Sequence, residues 1–200
     1  RPLPQGSSMQ ISITTLAAAA WLLFLIYWLW SARRVKSSAR GEPAWSRFFK
    51  YWLPIIVNLA LMFPTSLYEG TLLGRRFIPE VFWLAALGLL LAVAGLLFAC
   101  WARSILGSNW SAVVQVKQGH ELIERGPYRY VRHPIYTGLL LALVGTALLF
   151  GEWRAVLGFV IMFVSFWRKL RLEETWLSEY FGPAYGEYMQ RVKALIPGVL

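Results

Sequence analysis

The sequence is short of charge. Only 15% of its 200 residues are Asp, Glu, Lys or Arg, against about 25% in an ordinary soluble domain. Hydrophobic residues make up 58% and the mean hydropathy is +0.51, a balance that a membrane solvent explains. Cysteine is nearly missing. The single Cys100 lies in an apolar run, can form no intramolecular disulfide and says nothing firm about redox compartment. Histidine is almost as scarce, and neither His120 nor His133 stands in an H-E-x-x-H or comparable ligand spacing, so no metal centre is expected. Glycine-rich phosphate cradles of the G-x-G-x-x-G and G-x-x-x-x-G-K-[ST] types are absent, as is a G-x-S-x-G nucleophile turn. Dinucleotide-fold, P-loop and serine-hydrolase chemistries therefore have no anchor. No internal repeat or low-complexity segment is evident.

Acids are also few: 10 against 20 basic residues, for a formal net charge of +10. The basic residues flank apolar segments, where the positive-inside rule and anionic headgroups account for them, so nucleic acid is not an expected partner.

Residues 1–8, RPLPQGSS, read as an expression-tag remnant before Met9 and are set aside. Residues 11–30, ISITTLAAAAWLLFLIYWLW, supply the roughly 20 uncharged residues that cross a core of about 30 Å. This run is too long for a signal-peptide apolar region, and Trp28 and Trp30 suit an interfacial belt. Arg33, Arg34, Lys36, Arg40, Arg47 and Lys50 follow, opposed only by Glu42, which predicts a cytoplasmic loop. A second span is expected over Tyr51 to Tyr68, kinked by Pro54 and Pro64 and facing protein at Asn58. The next loop balances Glu69 and Glu80 against Arg75 and Arg76, as suits the opposite side. A third span covers Pro79 to Trp101, with Gly88, Ala92 and Gly95 forming a small-residue stripe that another helix can approach closely.

Residues 103–134 are polar and basic and cannot lie in lipid. Ile135 to Phe150 and Ala155 to Trp167 are each short for a crossing, and GEWR separates them. A helix-turn-helix hairpin follows, with Glu152 and Arg154 at its tip near the far interface. The expected fold is an all-α integral membrane protein with five transmembrane segments, the amino end outside. Three N-terminal helices occupy residues 9–102, and residues 103–200 comprise the connector, the hairpin and the tail, which hold most of the polar, chemistry-capable sequence. The first loop, the connector 103–134 and the tail 168–200 then share the cytoplasmic face.

Two stretches carry chemistry. GPYRYVRHPIYTG, residues 126–138, ends in a proline suited to a first helical turn, whose free amides and dipole favour an anion, reinforced by Arg129 and Arg132. An interfacial cap, with arginines on headgroups and tyrosines in the aromatic belt, explains the same residues. The tail RKLRLEETWLSEYFGPAYGEYMQRV reads as an amphipathic helix, a break at Gly182-Pro183 and a second helix. Glu173 and Glu174 stand one turn after Lys169. They are either part of a solvated ion-pair array or carboxylates that receive a ligand ammonium.

In order, Gln115, His120-Glu121-Leu122-Ile123, Gly126-Pro127-Tyr128, Arg132-His133-Pro134, Tyr136, Gly138, Glu173-Glu174 and Phe181-Gly182 with Tyr185 and Tyr188 resemble the isoprenylcysteine carboxyl methyltransferase family. The resemblance covers roughly residues 105–198. It implies a membrane methyltransferase using S-adenosylmethionine, held by the connector, the start of the fourth segment and the tail. Carried over, Gln115, His120, Glu121, Leu122, Ile123, Gly126, Tyr128, His133, Pro134, Ile135 and Tyr136 would line the cofactor pocket, completed by Glu173 and Glu174. The family's substrate-side arginine, four residues before the first glutamate, falls on Lys169. Lysine keeps the charge but loses bidentate carboxylate geometry, which brings Arg168 and Arg171 forward for that role. The implied acceptor is lipophilic and isoprenylcysteine-like. Its carboxylate is already ionised, so no catalytic acid or base is assigned. Such an acceptor could enter sideways where the Gly88/Ala92/Gly95 stripe or the kinked second span leaves a gap. Three other readings compete: a phospholipid N-methyltransferase, a sterol-reductase-like enzyme with a nicotinamide cofactor and a Tyr-Arg-x-x-Arg-His-Pro segment, and a membrane scaffold. Membrane lipids are expected partners, and oligomeric state is left open.

Overall fold

The computed structural model describes residues 5–33, 38–41, 44–62, 65–107, 110, 115–117 and 121–200. Helices dominate: α1 (Gln5–Ala32), α2 (Ala44–Arg47), α3 (Leu53–Met62), α4 (Phe82–Leu106), α5 (Pro134–Phe150), α6 (Trp153–Phe181) and α7 (Pro183–Arg191). A short antiparallel ribbon of β1 (Ser38–Gly41) and β2 (Gln115–Lys117) joins the first loop to the connector and pairs Gly41 with Gln115. Such pairing between segments so far apart in sequence gives no local signal.

Two helical segments are long and apolar enough to cross a membrane, Ile13–Ala32 and Phe82–Leu106, and Phe48–Met62 and Pro134–Phe150 are shorter apolar helices. Four of the helices pack in the order α1, α4, α5, α6, and α3 packs on α6, with Leu61 and Met62 also clustering with Ala147 of α5. Leu22, Leu23, Ile26 and Leu29 of α1 and Leu90 and Leu97 of α4 stay exposed, apolar surface that a lipid solvent accommodates.

The small-residue stripe of α4 is filled. Gly88 faces Gly145 and Leu149, Gly95 faces Gly138 and Ala142, and a Cβ on Gly138 would stand 2.5 Å from the Gly95 carbonyl. The expectation of an entry gap at this stripe is therefore corrected. The spacing of Gly88, Ala92 and Gly95 is matched in reverse by Gly145, Ala142 and Gly138 on α5, so the two backbones close on each other and leave no room for a lipid chain.

The proline-kinked second span shows its mechanism. Pro54 has no N–H to offer the Lys50 carbonyl, the backbone is π-helical over Phe48–Trp52, and Ser165 Oγ donates to that carbonyl at 2.9 Å from α6. Asn58 faces α6 as expected, where its Oδ1 fills the space that a Cβ on Gly158 would take.

The last two apolar segments form the expected hairpin, but its second arm does not stop near Trp167. It continues as one helix to Phe181, because residues 168–181 contain neither Gly nor Pro. The helix ends at Gly182, whose φ of +58° suits a residue without Cβ, and Pro183 opens α7. At the hairpin tip Arg154 is fully buried. It donates to Glu152 Oε2 at 2.5 Å and to the Leu61 and Met62 carbonyls at 2.8 and 2.9 Å, which closes the carboxyl end of α3. The opposite end of the bundle is thereby left to the polar segments.

Candidate active site

At that opposite end the start of α5 meets the middle of α6 and the strand-like segment after α7. The Arg132 and His133 amides donate to the Lys193 and Ala194 carbonyls at 2.8 and 3.0 Å. Thr137 Oγ1 adds a bond to the Leu195 carbonyl at 2.8 Å. These contacts fix the entry of α5 against the tail. Both amides precede the first turn of α5, which begins at Pro134.

Arg132 is engaged as well. Its Nε and Nη2 donate to Glu174 Oε1 at 2.9 and 2.6 Å, and Nη1 reaches the Met189 carbonyl at 3.3 Å and the Val192 carbonyl. His133 Nε2 lies 3.2 Å from the same Glu174 oxygen, and its Nδ1 is 3.7 Å from Glu173 Oε2. Burial works to raise the Glu174 pKa, but the hydrogen bonds and charges of His133 and Arg132 outweigh it, leaving it below its ordinary value. Glu174 is thus an ionised, buried clamp between α5, α6 and the tail.

Glu173 is placed differently. Its Oε1 accepts from Tyr136 Oη at 2.8 Å, and its side chain keeps 23% of its exposure, against 5% for Glu174. The two adjacent carboxylates thus differ: Glu174 is enclosed by cations, and Glu173 is the more exposed. Tyr136 stacks between His133 and Phe166 at 5.6 and 5.2 Å. Lys169, one turn before Glu173, sets its Nζ 5.0 Å from the Tyr51 ring centroid and 5.5 Å from that of Tyr136. Arg168 is exposed, and Arg171 is exposed with its Nη1 3.9 Å from Glu174 Oε2. Lys169 is therefore the cation set against the tyrosine rings.

Tyr128 lies near this group, within electrostatic reach of Glu173. Gly126 adopts φ +61° ahead of Pro127, and a Cβ there would touch Ile105 Cγ1 at 3.2 Å, so Gly126 both turns the chain and lets it lie on α4. Tyr128 then packs with Ala102, Trp110 and Ile135, with Ile123 at the edge. Its carbonyl accepts from Tyr188 Oη at 2.6 Å. Burial pushes the phenols of Tyr128, Tyr185 and Tyr188 up, so all three are neutral packing and hydrogen-bonding groups. Leu122 joins Tyr185, Tyr188 and Val192, while Glu121 is exposed. Pro134 is buried at the first position of α5. The structure thus gathers Ile123, Tyr128 and Ile135 on the α4 side and His133, Tyr136 and Glu173 on the α6 side. Gln115 is described through its backbone, in the ribbon, while its side chain and the whole of His120 lie outside the described residues. Sequence reasoning missed the Arg132–Glu174 clamp and Tyr51. No local pattern marks either one. Among the described residues no group of three or more His, Cys, Asp or Glu could hold a metal ion.

A family model described as phospholipid methyltransferase matches residues 83–184, about half of the chain. The protein-S-isoprenylcysteine O-methyltransferase of Schizosaccharomyces pombe is 30% identical over 181 residues, covering 78% of this chain and 73% of that protein. The chain belongs to the isoprenylcysteine carboxyl methyltransferase family. Another family member, protein-S-isoprenylcysteine O-methyltransferase B of Arabidopsis thaliana, is 26% identical over 144 residues, 70% of this chain and 73% of its own. The fold is shared with the eukaryotic intramembrane Ras methyltransferase ICMT, at a TM-score of 0.61 and 23% identity over 74% of this chain. The chain spans about half the length of that structure, 53%. Within the family match lie nearly all of α4 and the whole of α5 and α6, and α5 and α6 carry Tyr136, Lys169 and both glutamates.

Proposed function

We propose that this member of the methyltransferase family uses S-adenosylmethionine to methylate the carboxylate of a lipophilic, isoprenylcysteine-like acceptor. The proposal extends to five transmembrane segments, with the cleft on the cytoplasmic side. Lys50, Arg103, Arg129, Arg132 and Lys169 all lie at the cleft end, whereas the other end balances Glu69, Glu80 and Glu152 against Arg75, Arg76 and Arg154.

The observation that carries the reading is Glu173. It is a carboxylate oriented by Tyr136 Oη, still partly open, and set beside aromatic rings and a lysine ammonium. That donor and acceptor set fits the cofactor. Glu173 suits an ammonium, and Ile123, Tyr128 and Ile135 suit an apolar ring system. S-adenosylmethionine supplies, when bound, an electrophilic methyl that a carboxylate oxygen can take without prior loss of a proton. The protein's own work is then positioning and dehydration. Lys169, held over two tyrosine rings, offers a single-point charge for the acceptor carboxylate. Glu174 and Arg132 hold His133 and Glu173 in place from behind.

Calorimetric titration of the detergent-solubilised protein tests this directly. Saturable heat is expected with S-adenosylhomocysteine and none with NADPH. Absence of the first under folding conditions refutes the methyltransferase mechanism, and saturable NADPH binding would put the reductase in its place. A radiolabelled methyl assay comparing a prenylated N-acetylcysteine with phosphatidylethanolamine vesicles separates carboxylate from amine acceptors.

A further inference from the structure

One buried cation ties the first apolar helix, α1, to the connector. Arg103, in the last turn of α4, is 3% exposed. Its Nη2 donates to the Ser31 carbonyl of α1 at 2.7 Å, and its Nη1 to the Gly107 carbonyl at 2.7 Å. Both acceptors lie at the carboxyl ends of helices, where unpaired carbonyls gather and the dipole favours a cation. The guanidinium also lies over the ring of Trp110, 4.3 Å from its centroid.

Trp110 is held from three directions. Arg103 covers one face, Trp28 of α1 meets it edge-on at 5.1 Å, and Ala102, Tyr128 and Ile135 pack around it. At 6% exposure it is a core residue, although it stands at the start of a polar connector. Past it the chain runs to Gln115 and on through Ile123 to Tyr128. Arg103 Nε is buried without a hydrogen-bond partner. A guanidinium left one bond short in the core is kept there by what its other edges do. The fork reaches two carbonyls while the plane stacks on an indole, and a lysine ammonium cannot do both.

We infer that Arg103 is a positioning residue for cofactor binding: it seats Trp110 between α1 and α4 and so fixes the connector wall of the cleft. The inference rests on the cofactor reading given above. It gives the first and third apolar segments a part in affinity, beyond the topology that their sequences suggested.

The test uses the full chain in detergent and S-adenosylhomocysteine as the probe. Arg103→Lys is expected to weaken its binding about tenfold, with a melting temperature close to wild type. Trp110→Ala is expected to weaken binding to a similar degree, and the double variant no further, since both changes remove one contact. Trp110→Phe keeps a ring under the guanidinium and should retain affinity within about threefold. Independent, multiplying losses overturn the inference, as does unchanged affinity in Trp110→Ala. Should Arg103→Lys fail to fold, the contrast between Trp110→Ala and Trp110→Phe decides alone. Should the wild type bind no S-adenosylhomocysteine, the cofactor reading falls separately. Amide hydrogen exchange over residues 110–125 then carries the test, and exchange that Arg103→Lys leaves unchanged overturns the positioning role.

Discussion

Adjacent glutamates with opposite duties make the sharpest prediction. In Glu174→Ala, Arg132 loses both charge-assisted bonds to the carboxylate, 2.9 and 2.6 Å, and His133 loses a partner at 3.2 Å. The arginine side chain is only 8% exposed and keeps just the Met189 and Val192 carbonyls. Breaking a buried ion pair from one side costs about 3–5 kcal/mol, because the other charge stays desolvated. For a chain of this size that corresponds to a fall of roughly 6–20 °C in melting temperature. Glu173→Ala removes one neutral-to-charged bond from Tyr136 Oη at a more open position. Its stability loss should stay near 1–2 kcal/mol, while S-adenosylhomocysteine affinity falls by tenfold or more. Thermal unfolding followed by tryptophan fluorescence, paired with calorimetry, reads both quantities. A stable Glu174→Ala protein, or a Glu173→Ala protein with unaltered affinity, would refute the division of labour.

Acid titration offers a second check on the clamp. The folded pKa of Glu174 is depressed, so its stabilisation is fully present above its ordinary value of 4.5 and is lost as pH falls through the folded value. The stability gap between wild type and Glu174→Gln should be flat from neutrality down to about pH 5 and shrink only below that. In the helix interface, Gly138→Ala places a Cβ 2.5 Å from the Gly95 carbonyl and should destabilise by about 1–3 kcal/mol. Gly186→Ala has open space and a helical backbone, and should be neutral or stabilising by up to about 1 kcal/mol. Melting curves of the two variants compare them directly. Lys169→Met should raise the KM for a prenylated N-acetylcysteine at least tenfold while leaving S-adenosylhomocysteine affinity within about twofold. A matching loss of both would move Lys169 to the cofactor side.

Much of this protein is written locally. Uninterrupted apolar runs mark the segments that leave water, since burying twenty such residues outweighs any alternative. Pro54 and Gly182-Pro183 mark where helices bend and stop, because a missing N–H and a positive φ are properties of single residues. The motif GPYRYVRHPIYTG likewise marks the start of α5, where His133 and Tyr136 meet Glu174 and Glu173. Other features needed the tertiary structure. The small-residue stripe on α4 shows that some helix approaches, but only packing names α5 and removes the entry gap. Which of Glu173 and Glu174 opens to a ligand depends on the rotation of α6, since neighbours on a helix point about 100° apart. Leu170, fully buried against Tyr136, Ala194 and Leu195, sets that rotation. Arg132 looked like part of an anion site and became the partner of Glu174, and Arg103 looked like the first residue of a polar connector and became a joint between three segments. Charges of this kind take their meaning from partners 42 and 72 residues away, and no local pattern in the sequence records that distance.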